Sequence, residues 1–92
     1  MAIRLVIPME AAPGKRAELV DTFRALSPNV RKEKGCQGYE LYQSTERPDQ
    51  MVLLELWSSE EDLANHSEMN RQRGLNLGPL RTGPSASERY TV

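Results

Sequence analysis

The sequence predicts an α+β fold: one four-stranded antiparallel sheet with two helices on a single face, its elements ordered β-α-β-β-α-β. Three observations predict it. Apolar residues alternate over 2–9, 38–45 and 51–57, as half-buried strands do. They recur at three- and four-residue spacings over 15–34, and residues 59–73 carry a second, capped helical segment. Turn-forming Pro, Gly, Ser and Asp residues stand at the joins.

In the first strand Ile3, Leu5 and Ile7 share one face and Arg4 and Val6 the other. Pro8 cannot donate to a ladder, which places this end at an edge or a bulge. Ala12-Pro13-Gly14 turns the chain into a helix over Lys15–Lys34, with Leu19, Val20, Phe23, Leu26 and Val30 as its apolar stripe. Pro28 removes a helical hydrogen bond, so a kink or a break into two helices is expected there. Gly35 is the helix stop, and Arg31, Lys32 and Lys34 suit the negative end of the dipole.

The second strand has Tyr39 and Leu41 on one face and Glu40 and Tyr42 on the other. Residues 46–50 form a polar turn. The third strand sets Met51, Leu53, Glu55 and Trp57 on one face and Val52, Leu54 and Leu56 on the opposite one. Ser58-Ser59-Glu60-Glu61 reads as a capping box with Ser58 and Glu61 as its ends. The helix behind it places Leu63, His66, Met69 and Asn70 on one side and ends at Gly74. Residues 75–80 suit a short helical turn, Gly83-Pro84-Ser85 a linker, and 88–92 a fourth strand with Tyr90 and Val92 facing together. This is the split βαβ, or ferredoxin-like, arrangement.

Ninety-two residues suit one domain, 1–92, with a modest core that buries about 60–65% of the unfolded surface. Twelve basic and 13 acidic side chains nearly cancel, so no field for nucleic acid or a membrane surface stands out. The single Cys36 excludes an internal disulfide and a Cys-based zinc cluster, and it suits a reducing compartment. The N-terminal apolar stretch is too short to span a bilayer and lacks a basic leader, so it reads as a strand and the expected location is cytoplasmic.

Two helices cover one face of such a sheet. The apolar residues of the other face then call for a partner, most simply a second copy related by a two-fold axis. A sealed chamber is expected between each sheet and its own helices, with Trp57 and His66 beside it.

There is no P-loop, GxGxxG, HExxH or G-x-S-x-G. Trp57 is either core packing or the wall of a ligand cavity. His66 is either a structural imidazole or a base, since an unperturbed imidazole titrates near neutrality. Glu55 is the odd charge in an apolar strand and needs solvent, an Arg such as Arg4, or a bound polar group. Tyr39 and Tyr42, three apart, face opposite ways, so one of them at most lines a given pocket.

Several stretches together resemble the antibiotic biosynthesis monooxygenase domain family. They are Pro13-Gly14-Lys15 before the first helix, Gly35-Cys36 leading into Gly38-Tyr39-Glu40-Leu41-Tyr42, Leu54-Glu55-Leu56-Trp57-Ser58-Ser59, and Leu63-Ala64-Asn65-His66. The resemblance implies a dimeric α+β barrel. It implies small-molecule chemistry of three kinds: oxygenation without flavin, haem or metal, haem degradation, or isomerisation. Trp57 and His66 fall at positions such proteins use, and Asn65 is an adjacent polar candidate. The haem-degrading branch has an Asn on its first strand, and residues 2–9 hold none. Ser67-Glu68-Met69-Asn70 replaces an aromatic segment common in relatives, and the chain has one Phe, which argues against a large aromatic substrate.

The expected protein is a homodimeric, cofactor-independent monooxygenase for a small activated aromatic, quinol or enol, with dioxygen as co-substrate. Its expected catalytic residues are His66 and Asn65, with Trp57, Tyr39, Tyr42 and Glu55 at the substrate. The alternatives are an isomerase or degrading enzyme for a small metabolite, and a binding dimer without catalysis.

Overall fold

The computed structural model describes residues 1–83 and 86–92; Pro84 and Ser85, within the linker expected at 83–85, lie outside the described residues. The elements are β1 (Ile3–Glu10), α1 (Arg16–Val30), β2 (Cys36–Gln43), β3 (Gln50–Trp57), α2 (Glu60–Arg73), a 3-10 turn (Gly78–Leu80) and β4 (Glu88–Thr91). The strands form one antiparallel sheet in the order β2-β3-β1-β4. The predicted element order and ferredoxin-like architecture hold.

Register decides the two faces. Ile3 pairs with Trp57, Leu5 with Glu55 and Ile7 with Leu53, while Glu55 also pairs with Tyr39 and Leu53 with Leu41. Directly paired residues share a face, so these line the helix-covered side. Leu19, Phe23 and Val30 of α1 close the core over them, each almost wholly buried. Burying each such side chain is worth about 1.5–3 kcal/mol. The opposite face joins Val6 with Leu54, Arg4 with Leu56, and Val52 with both Pro8 and Tyr42. Pro8 lies past the stretch of β1 that pairs with β4, which spans Ile3–Val6, so its missing N–H sits along the less fully paired edge.

Three local expectations change. Helix α1 neither kinks into two pieces nor reaches Lys34. It runs through Pro28 and stops at Val30, with the Arg31 N–H on the Ser27 carbonyl at 2.9 Å. Pro28 is exposed in the last turn, so it removes one helical hydrogen bond there without ending the helix. The cap of α2 is Ser59, not Ser58: its Oγ accepts from the Asp62 N–H at 3.2 Å, while the Ser58 hydroxyl donates to the Asp62 carboxylate. Finally, α2 buries Asp62, Leu63 and His66, while Met69 faces solvent.

No helix among the described residues is long and apolar enough to cross a membrane.

Candidate active site

The site begins with the tie between two loops. Residues 31–35 turn the chain from α1 into β2, and Gly35 takes a φ of +81° that disfavours any residue with a Cβ. Its carbonyl accepts from the Ser58 N–H at 2.8 Å, and a Cβ added there would overlap the Asp62 carboxylate. Arg31 adds a second tie, its Nε donating to the Tyr39 carbonyl at 2.9 Å. The turn is therefore pressed onto the start of α2, and Glu33 is carried to the imidazole of His66.

His66 is 4% exposed. Its Nδ1 lies 2.9 Å from Glu33 Oε1, and Asn70 Nδ2 lies 3.1 Å from its Nε2. A carboxylate must accept and an amide NH₂ must donate, so this pattern fits the tautomer with the proton on Nδ1 and a lone pair on Nε2. Glu55 Oε1 stands 3.7 Å from that same Nε2 and accepts the indole N–H of Trp57 at 2.9 Å. Arg73 closes the cluster: Nη1 donates to Asn70 Oδ1 at 2.8 Å, and Nη2 is 2.9 Å from Glu33 Oε2. That last contact is an ion pair out of line for a hydrogen bond, which leaves the buried Oε2 without a good donor.

The aromatic rings complete the enclosure. The imidazole stacks on the indole with centroids 4.5 Å apart and planes at 28°, and Tyr39 meets it edge-on at 5.8 Å. Trp57 is wholly buried. The expected chamber between indole and imidazole is therefore filled by the two rings in contact. The clefts lie outside the ring stack, among them one of about 410 Å³ between α2 and residues 75–81, with Asn70 in its wall, and one of about 480 Å³ between Leu5 and the 60–67 stretch of α2.

Burial pushes the Glu55 carboxyl above the ordinary carboxylate range; the indole hydrogen bond and His66 oppose the rise, and Glu33 adds to it. Burial also raises the Tyr39 phenol, with Glu55 as the next cause, so this hydroxyl stays protonated. A carboxyl drawn toward its neutral form thus stands 3.7 Å from an imidazole nitrogen that accepts from Asn70, close enough for a proton to pass only after Asn70 lets go and the two groups move together. A buried ionic group is seldom more stabilising than apolar side chains of the same volume.

The sequence candidates divide. Trp57, Glu55, Tyr39 and His66 come together. Tyr42 does not: it lies on the opposite face of the sheet and is half exposed. Asn65 does not either, since its side chain is exposed. Adjacent helical residues differ by about 100° in direction, so the neighbour of an inward His points away. Asn70, one turn on from His66, is the amide that reaches the imidazole. Glu55 finds Trp57 and His66, not Arg4, which is on the other face. Sequence reasoning missed Glu33 and Arg73. The four-residue step from His66 to Asn70 was a usable signal for Asn70. None existed for Glu33, which lies 33 positions from His66.

Compared with known proteins, residues 2–73 match the family model described as antibiotic biosynthesis monooxygenase. Among the solved structures similar to the chain are three from different organisms. A conserved protein of Methanosarcina mazei Go1 is 27% identical, with a TM-score of 0.89 over 98% of this chain and 91% of that one. A Caulobacter crescentus CB15 protein bearing the same family's name is 28% identical, with a TM-score of 0.85 over 97% and 87%. Rv0793 of Mycobacterium tuberculosis is 25% identical, with a TM-score of 0.86 over 100% and 95%. No curated protein matches.

Proposed function

The chain belongs to the antibiotic biosynthesis monooxygenase family, and on that premise we propose that it is a homodimeric oxygenase that oxidises a small activated phenol, quinol or enol without flavin, haem or metal. The observation that carries the reading is the buried His66, held at Nδ1 by Glu33 and offering Nε2 toward Asn70 and Glu55. His66 removes the substrate proton. Asn70, in place of Asn65, donates to the developing anion. Trp57 and Tyr39 keep water from the imidazole. The substrate anion supplies the electrons. For a phenol going to a quinone, four electrons and two protons pass to dioxygen; one oxygen atom stays as the new carbonyl and the other leaves as water. The second copy covers the Val6, Leu54 and Leu56 face.

One observation favours a second reading. Glu55 and His66 are two proton-active groups 3.7 Å apart, which suits moving a proton between neighbouring carbons of one substrate. That is an isomerase, and it consumes no oxygen.

Oxygen uptake across a panel of hydroxylated aromatics and enols separates the two, with solvent deuterium incorporation followed in parallel. Uptake supports the oxygenase; deuterium incorporation without uptake supports the isomerase. His66→Gln, assayed per folded molecule, should lower either turnover by about 10²–10⁴-fold. Turnover that survives this change within a factor of about three would remove His66 as the base.

A further inference from the structure

We infer that the open face of the sheet selects a second copy of this chain in one register, with Arg4 of each subunit set on the partner's Glu40. The inference deepens the homodimer reading and rests on it.

Strand register lays the face out in rows. One row runs Gly38, Leu56, Arg4 and Tyr90 across the four strands, and the next runs Glu40, Leu54, Val6 and Glu88. A third runs Tyr42, Val52 and Pro8. The middle is apolar and partly buried, formed by Val6, Val52, Leu54 and Leu56. Arg4 is the one cation in these rows. It is partly buried between Leu56 and Tyr90, and it makes no ion pair among the described residues. Glu40 is likewise unpaired among them. It borders the cleft under α1, but Arg24 there is held by Asp21 and Arg31 by the Tyr39 carbonyl. Glu88, the other acid in these rows, accepts from the Tyr90 hydroxyl.

These charges restrict what can cover the face. A purely apolar partner would strip water from Arg4 and return no acceptor. A partner that fits must bring an anion to Arg4 and a cation to Glu40, and the chain itself meets both demands. Arg4 and Glu40 flank β3 on opposite sides, one level with Leu56 and the other with Leu54. Two strand spacings, about 10 Å, separate their backbones within one chain. A two-fold axis in the plane of contact, crossing β3 between Leu54 and Leu56, exchanges the two positions. Each Arg4 then lies over the partner's Glu40, and the pair forms twice because such a contact is self-complementary. Leu54 and Leu56 of both copies gather at the centre with the charges outside them, an apolar core with a polar rim. Any other register sets Arg4 away from its acceptor, so the pair contributes more to register than to affinity.

Charge exchange on the full chain tests this. Mass in solution is read by sedimentation equilibrium across a concentration series, and folding by circular dichroism. Arg4→Glu and Glu40→Arg should each weaken the homodimer about 100-fold, because each sets like charges together at two symmetric places, about tenfold apiece. An equimolar mixture of the two variants restores opposite charges at both places, and so does a chain carrying both exchanges. Each should return to within about threefold of wild-type affinity. Arg4→Gln and Glu40→Gln, expected to weaken association about tenfold, keep the test open should a charge reversal fail to fold. A mixture that stays at the one-chain mass overturns the pairing, as does recovery of Arg4→Glu by Glu88→Arg in place of Glu40→Arg. A two-chain wild type whose charge variants all stay within about threefold of it leaves the dimer standing and overturns the register alone. A wild type of one-chain mass at micromolar concentration overturns both.

Discussion

Replacing Gly35 by Ala tests the tie that brings Glu33 to His66. Two separate penalties follow from the structure. The first is backbone: at φ +81° a residue with a Cβ loses about 1–2 kcal/mol. The second is contact: the new methyl occupies the space of the Asp62 carboxylate. Asp62 must move, and the Ser59 cap on its N–H goes with it, which removes about 1 kcal/mol. Gly14→Ala is the matched control, because Gly14 has a φ of +76° and nothing within 4 Å of an added Cβ. Gly35→Ala should therefore destabilise by about 2–3 kcal/mol and Gly14→Ala by about 1–2 kcal/mol. In a domain of this size each kcal/mol moves the melting midpoint by about 4–8 °C. Urea unfolding at one fixed protein concentration, followed through Trp57 fluorescence and far-ultraviolet dichroism, measures both. If the two variants differ by less than about 0.5 kcal/mol, the contact with Asp62 contributes nothing and the account of how Glu33 is positioned is wrong.

Two further predictions concern charge and association. The folded state binds the Glu55 proton more tightly than the unfolded chain does, because burial raises this carboxyl. Its stabilising share is thus complete below the unfolded glutamate pKa and is lost as pH rises through the folded one. Glu55→Gln should remove that decline from the stability–pH curve, and an unchanged slope between wild type and variant would show that Glu55 is not the group responsible. On the uncovered sheet face, Leu54→Glu places a charge among Val6, Glu40 and the other β3 apolar residues. Sedimentation should give a two-chain mass for the wild type at micromolar concentration and a one-chain mass for the variant; a wild type that sediments as one chain would end the case for a dimer.

Much of the fold was legible because strand and helix periodicities are local. The alternation in β3 could be read without knowing its neighbours, and so could the stripe of Leu19, Phe23 and Val30. Helix ends were less legible. Pro28 and the Ser58/Ser59 cap depend on which backbone groups find water or a side chain, and that is settled one residue at a time. The candidate site was half visible. Glu55 and Trp57 share a face by the two-residue step of a strand, and His66 lies on the inward side of its helix. Asn65 is exposed, because a helix turns each residue about 100° from the one before it and the neighbour of an inward His faces away.

The sequence by itself determined the order of elements and the two faces of each strand, since each follows from residues within a few positions of one another. Tertiary structure alone decided that Glu33 and Arg73 reach His66 and that the imidazole lies flat on the indole. It also decided that the clefts lie outside the ring stack, one of them with Asn70 in its wall. The physical reason is distance along the chain. A buried polar group must find its partner wherever the fold brings one, and for His66 that partner sits on a turn held in place by Gly35, Ser58 and Asp62.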